Sequence, residues 1–276
     1  VYFREGDELF GATYAPIRER AEDYRVVHRT DCSEYVNTRK NCSMQVFTPH
    51  MFSGEVRRIR LDNDGDTERV VDIGFYAPVT LWPLADDCAH PAFSDMFVET
   101  FIDGPTGSLI ARRKSRAQSG DRYCGLAVNG MSLTAHSSVA DFIGREGSLR
   151  DPRAMRSGAS DAPTVGDVLY PCLAGVGQVR IAPHASCTVT FALIYDTELQ
   201  PLKHKLEQAV SQDFSHYAYQ SATLQTLSKA RKYLDTPTCA QTAYALAASL
   251  VRGARDPEQL RSMFATATAR LPLGLD

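Results

Sequence analysis

Two runs of sequence decide the fold: Val56-Arg57-Arg58-Ile59-Arg60-Leu61 and Arg69-Val70-Val71-Asp72-Ile73-Gly74-Phe75-Tyr76, separated by Asn63-Asp64-Gly65-Asp66. Apolar and polar side chains alternate in both. Period two places one face on a core and the other in water, the signature of a half-buried strand. The Asn/Asp/Gly cluster between them predicts a hairpin turn, because Asn and Asp cap their own backbone and Gly accepts positive φ. Its acidic spacing resembles a calcium loop, but no Glu follows at the distance such a loop requires.

The same alternation recurs outward in both directions. Asp23-Tyr24-Arg25-Val26-Val27-His28 and Cys42-Ser43-Met44-Gln45-Val46-Phe47 precede the central pair. Gln178–Ile181 and Thr188–Tyr195 follow it, and read as two antiparallel strands joined by Ala182-Pro183-His184-Ala185. Turn signals fall at Asp103-Gly104-Pro105, Ser119-Gly120-Asp121 and Asn129-Gly130. Many short strands from Tyr24 to about Tyr195, with no helical pattern between them, predict a mainly β, antiparallel sandwich. The segment from Arg145 to Thr164, rich in Gly, Ser, Asp and Arg, breaks the rhythm and predicts a long excursion from the sheet. Long ordered loops in compact domains are often functional.

After Asp196 the pattern turns helical. Leu202, Leu206, Ala209 and Val210 recur at helical spacing and make one apolar face. Leu224, Leu227 and Leu234 predict a second helix. Thr236-Pro237 reads as an N-cap with Pro at the first helical position, opening a helix that Gly253 ends, and Asp256-Pro257-Glu258 opens another. The expected division is a β domain over residues 1–197 and a helical linker segment over 198–276.

Composition bounds the function. The chain has 276 residues, 43% hydrophobic and 23% charged, with a net charge of -3, which is ordinary for a soluble globular protein. Nucleic acid is excluded as the main partner, because phosphate binding shows as a basic excess. No apolar run is long enough to span a bilayer. The opening Val1-Tyr2-Phe3-Arg4-Glu5 carries no leader pattern and no initiating Met, so an excised fragment is expected. Seven cysteines at irregular spacing, without C-x-x-C, signal neither a zinc ribbon nor a thioredoxin-type motif. They predict thiols kept reduced, hence a cytoplasmic setting. The histidines show no metal spacing, and no metal or cofactor is signalled.

Glycoside cleavage needs two groups flanking the scissile bond. The densest acidic pair outside the central turn, Asp86-Asp87, lies between Trp82-Pro83 and His90-Pro91 and reads as a solvated loop, so no catalytic residue is assigned. Sugar binding uses aromatic faces and planar polar groups. Tyr14, Tyr76, Trp82, Phe93 and Phe142 are candidates, each with a core role as the alternative. Tyr14 and Trp82 stand in Pro-flanked loops. Arg145 and Arg150, in the Gly-rich excursion, offer planar forks to a sugar phosphate or to a partner domain's carboxylate. The candidate carbohydrate-binding set is Tyr14, Trp82, Phe142, Arg145 and Arg150.

Several stretches, in order, resemble the N-terminal domain of glycoside hydrolase family 94. They are Gly6–Arg18, Tyr24–His28, Arg57–Asn63, the distinctive Asp141-Phe142-Ile143-Gly144-Arg145-Glu146-Gly147-Ser148-Leu149-Arg150-Asp151-Pro152, and Asp167-Val168-Leu169-Tyr170-Pro171-Cys172. The wording is closest to the cyclic β-1,2-glucan synthase branch, which shares the family with cellobiose and chitobiose phosphorylases. The resemblance implies a galactose-mutarotase-like super-sandwich followed by a helical linker. It also implies an adjacent (α/α)6 barrel that carries the catalysis, with no positions in this chain, and a parent protein associated with the inner membrane. On that basis the chain is expected to be a non-catalytic module that shapes a glucan site and mediates assembly, its partners being β-glucan and the adjacent barrel or a second copy. Two alternatives stand beside it: an independent β-glucan-binding module, and a small mutarotase-like epimerase using His90 or His136 with Glu99.

Overall fold

The computed structural model describes residues 1–29, 32–49, 51–115, 120–156 and 162–211. The helices expected beyond Leu224, with His50, His216 and Cys239, lie outside these residues. The strands are β1 (Tyr2–Glu5), β2 (Glu8–Gly11), β3 (Tyr24–His28), β4 (Ser33–Asn37), β5 (Cys42–Phe47), β6 (Ser53–Asn63), β7 (Arg69–Pro78), β8 (Val98–Ile102), β9 (Leu109–Arg113), β10 (Arg122–Asn129), β11 (Thr134–Ser138), β12 (Gly166–Asp167), β13 (Pro171–Ile181) and β14 (Ala185–Asp196). The helices are α1 (Leu84–Ala89), α2 (Pro91–Asp95), α3 (Val139–Phe142) and α4 (Leu199–Val210).

All the pairings between these strands are antiparallel, and they form two sheets. A five-stranded sheet runs β11-β13-β7-β1-β2, and a nine-stranded sheet runs β12-β8-β9-β10-β14-β6-β5-β4-β3. The inner faces share a core of Phe3, Phe10, Ile59, Leu61, Ile73, Phe75, Leu126, Leu173 and Phe191. Phe75 and Phe191 stack across it with centroids 5.0 Å apart. Each such side chain, taken fully from water, contributes about 2–3 kcal/mol before entropy. The antiparallel sandwich expected from the strand pattern is the observed fold, and its two large sheets fit the super-sandwich that the resemblance implies.

The central turn is not a hairpin. β6 lies in the nine-stranded sheet and β7 in the five-stranded one, so Asn63–Asp66 is an arch between the layers. The same is true of β13 and β14, which were expected to pair through Ala182–Ala185 but also belong to different sheets. The two arches lie side by side. Asn63 Nδ2 donates to the carbonyls of Thr67, Ile181 and Ala182 at 2.8–3.0 Å, and its Oδ1 accepts from Gly65 N at 3.1 Å. One buried amide thus ties four backbone groups of two sheet-crossing turns.

The β6 pattern shows why the sandwich has further layers. Ile59 and Leu61 point into the core, whereas Val56, of opposite parity, joins a second apolar cluster on the outer side. That side is covered by α4, whose Leu202, Leu206 and Ala209 are fully buried against Phe47, Ile110 and Ile194. The predicted apolar stripe is therefore the helix's buried face. Asp86-Asp87 also differs from expectation, since it sits in α1 rather than in a loop.

Candidate functional site

The outer face of the five-stranded sheet is covered by irregular chain. After β11, α3 makes one turn and drives Phe142 into a third apolar cluster with Tyr2, Ile17, Ile143, Ala154, Met155 and Cys172. Gly144 then takes a φ of 98°, a left-handed conformation that costs other residues dearly. At Gly147 a Cβ would overlap the Ile143 carbonyl oxygen. The excursion is tied down by Arg153 N donating to Ile143 O at 3.0 Å and by Tyr2 Oη donating to Leu149 O at 3.0 Å. Burial, with Tyr76 beside it, pushes the Tyr2 phenol up to about 12, so it stays a donor through neutral pH.

This excursion forms one wall of an open groove of about 1120 Å³, and Val168-Leu169-Tyr170 forms the other. Val139 N donates to Tyr170 O at 2.9 Å and closes the groove floor. Arg145, Arg153 and Arg156 line it with Asp141 and Glu146. Arg156 is held by Asp151 at 2.8 Å, whereas Arg145 and Arg153 make no ion pair among the described residues. Tyr170 is 56% exposed and Leu169 77% exposed. An accessible aromatic with unpaired guanidinium forks suits polyhydroxylated ligands, whose C–H faces stack and whose hydroxyls accept hydrogen bonds.

The sequence candidates are distributed unevenly around this site. Arg145 lines the groove, and Arg150, in the same excursion, does not. Phe142 is completely buried, stacked on Tyr76 at 5.4 Å and beside Tyr2 at 6.0 Å. It has no face to offer a sugar, and its role is to seat the excursion. Tyr14 is half-exposed, edge-on to Tyr24 at 6.1 Å. Its loop reaches the same outer face through Ile17, but Tyr14 does not line the groove. Trp82 lies in the segment between β7 and β8, against Arg113. Sequence reasoning missed Tyr170, Arg153 and Arg156. Tyr170 stands in the quoted motif 167–172, and Arg153 and Arg156 in the Arg-containing excursion 145–164; part of that excursion and residues 168–170 face each other across the groove.

The pairing of His136 with Glu99 considered for an epimerase is not assembled. Ala135 and Val98 face the core, so His136 and Glu99, one residue along their strands, stand on opposite outer faces of the sandwich. His136 packs edge-on to Phe142 at 6.2 Å, while Glu99 pairs with Arg112 at 3.1 Å. The two do not flank one sugar ring. Among the described residues no group of three or more His, Cys, Asp or Glu side chains is placed to hold a metal. Cys42, Cys88, Cys124, Cys172 and Cys187 carry free thiols, and burial pushes those of Cys42, Cys124 and Cys172 up to about 12, which keeps them inert. No helix among the described residues is long and apolar enough to cross a membrane.

Fold and groove together define a class: an antiparallel two-sheet β super-sandwich with a loop-walled groove on one outer face. Residues 1–217 match the supersandwich domain of glycosyl hydrolase 94, and the chain belongs to that family. It is 26% identical over 195 residues to cyclic beta-(1,2)-glucan synthase NdvB of Rhizobium meliloti (strain 1021), a match covering 67% of this chain and 7% of the synthase. The chain thus spans a small part of that relative's length. Among solved structures, a polysaccharide lyase is similar at 14% identity and a TM-score of 0.38, over 74% of this chain and 26% of the lyase. A family GH92 alpha-mannosidase from Bacteroides thetaiotaomicron is similar at 7% identity and a TM-score of 0.33, over 76% of this chain and 25% of the mannosidase. These structures are too distant to bear on function.

Proposed function

We propose that this chain is a non-catalytic sandwich module of a glucan-processing protein related to the cyclic β-1,2-glucan synthases. Its groove shapes one side of a glucan site. The helical segment, taken to begin near residue 198, meets an adjacent (α/α)6 catalytic domain or a second copy, on the cytoplasmic side. The observation that carries the reading is the groove itself, walled by residues 143–147 with Arg153 and Arg156 on one side and 168–170 on the other, whose lining combines exposed Tyr170 with unpaired Arg145 and Arg153. The test is phosphorolysis by the whole chain: β-1,2-gluco-oligosaccharides or cellobiose with inorganic phosphate, following glucose 1-phosphate. The proposal expects none, and product above background overturns the assignment of the chemistry to another domain.

A second reading is favoured by exposed Trp82 and Tyr14: the module holds β-glucan on its own, without a partner domain. Calorimetric binding of β-1,2-glucan by the isolated chain at micromolar affinity supports it, and no heat at millimolar ligand removes it.

A further inference from the structure

Trp82 is the chain's only tryptophan. The Arg113 guanidinium carbon, at the end of β9, lies 3.9 Å from its ring centroid. Arg113 is 4% exposed. It also approaches the Phe97 ring, at 5.3 Å, and donates to the Ser94 carbonyl. Among the described residues it has no ion pair, and its Nε has no hydrogen-bond partner. Burial pulls its pKa down, with the more distant Asp87 and Asp95 opposing. A buried guanidinium without a salt-bridged carboxylate is costly, and an apolar side chain of similar volume would fill the space without that penalty. Close packing alone therefore does not call for a cation here.

Holding an indole does call for one. A cation centred on a tryptophan face fixes the ring's position and plane, and β9 is a rigid base for it, paired with β8 and β10. With one face on Arg113, Trp82 is still 40% exposed. Phe93, 54% exposed, is joined to this unit by its edge contact with Phe97 at 5.0 Å. The surface is an aromatic shelf whose charge is buried beneath it. Asp87 is turned inward to accept from Ser94 Oγ.

We propose that Trp82 is a stacking platform for the apolar face of a pyranose in a neutral β-glucan chain, with Arg113 as its positioning residue and Phe93 as a flanking contact. The inference rests on the glucan-module reading and adds a second subsite, since none of these residues lines the groove. A neutral sugar fits because the exposed shelf is apolar and stacking on an aromatic face needs no counter-charge.

The single tryptophan makes the test direct: titrate the whole chain with β-1,2-gluco-oligosaccharides, following Trp82 emission, with calorimetry in parallel. The expected result is a saturable change in emission. Arg113→Met should weaken it about tenfold, Arg113→Lys should retain most of it and Phe93→Ala should weaken it about threefold, the range expected for losing one aromatic or cation–π contact. Calorimetric binding with unchanged emission overturns the platform but leaves the module reading standing. No binding by either method overturns both. Arg113→Met titrating like the native chain overturns the positioning role. Should that variant fail to fold, Trp82→Ala decides by calorimetry: unchanged affinity overturns the platform.

Discussion

The two outer faces of this sandwich are covered in opposite ways. On the nine-stranded sheet lies a regular helix, α4, with its apolar stripe fully buried and two ion pairs at its edge. Lys203 reaches Asp103 at 2.6 Å, and Lys205 reaches Asp196 at 2.5 Å. On the five-stranded sheet lies irregular chain, seated by Phe142 and Met155, which leaves a groove lined by arginines and one exposed tyrosine. A helix satisfies its own backbone and can seal a face completely. A loop must be tied residue by residue and leaves polar groups and gaps between the ties. The first cover supplies stability, while the second supplies stability at its root and, on the proposed function, a binding surface at its rim.

That contrast breaks if substitutions on the two faces behave alike. The largest effect is expected from Phe142→Ala, which empties a fully buried site and should cost about 3–5 kcal/mol. Thermal melting checks the loss, and carbohydrate binding should disappear with it because the groove wall is unseated. Leu206→Ala should cost about 2–4 kcal/mol through a similar cavity, yet leave sugar affinity unchanged in whatever fraction remains folded. Loss of affinity there would couple the two faces and contradict the account.

Lys203→Ala leaves the nearly buried Asp103 carboxylate unpaired and should cost about 1–3 kcal/mol, between the values for surface and buried pairs. Acid sharpens the same point. Burial works to raise the pKa of both Asp103 and Asp196, but Lys203 and Thr106 at the one, and Lys205 with backbone donors at the other, hold both below their ordinary value of 3.8. A depressed carboxylate contributes stability that is present above its unfolded pKa and lost as pH falls through the folded value. Hydrogen exchange of α4 should therefore quicken as pH drops below about 4, after correction for the intrinsic rate. Exchange no faster at pH 3 than at pH 5 would count against these clips. The smallest stability effect is expected from Tyr170→Ala, within about 0.5 kcal/mol, because the ring is largely exposed.

Much of the fold was legible because alternation reports burial directly. Ile59 and Leu61, or Val71, Ile73 and Phe75, recur with period two, as strands facing a core do. What alternation does not encode is which sheet a strand joins. Asn63–Asp66 carries the same turn chemistry whether the chain folds back in plane or crosses to the other layer. The strand partners separate the two cases, and the side-chain bonds of Asn63 to the neighbouring arch at Ile181 and Ala182 fasten the crossing. α1 and α2 were hidden for another reason: runs of 6 and 5 residues, each led by a proline, are too short to show a helical period. The place of Arg145 on a loop excursion was legible from its Gly-rich setting. Phe142 was misplaced because an aromatic in a loop motif looks the same whether it points out or anchors the loop. Tyr170 stood inside the quoted motif 167–172 but was not singled out, because nothing in that run shows that the chain stays outside the sheet until Pro171 and leaves the ring exposed.

The most direct test of the groove as a glucan-facing surface is calorimetric titration of the whole chain with β-1,2-gluco-oligosaccharides, native against Tyr170→Ala/Arg145→Ala. The account predicts native binding and a loss of about tenfold or more in the double variant at unchanged melting temperature, the scale set by losing a stacking ring and a hydrogen-bonding fork. Equal affinity in the two proteins would contradict it and place any glucan contact elsewhere on the sandwich.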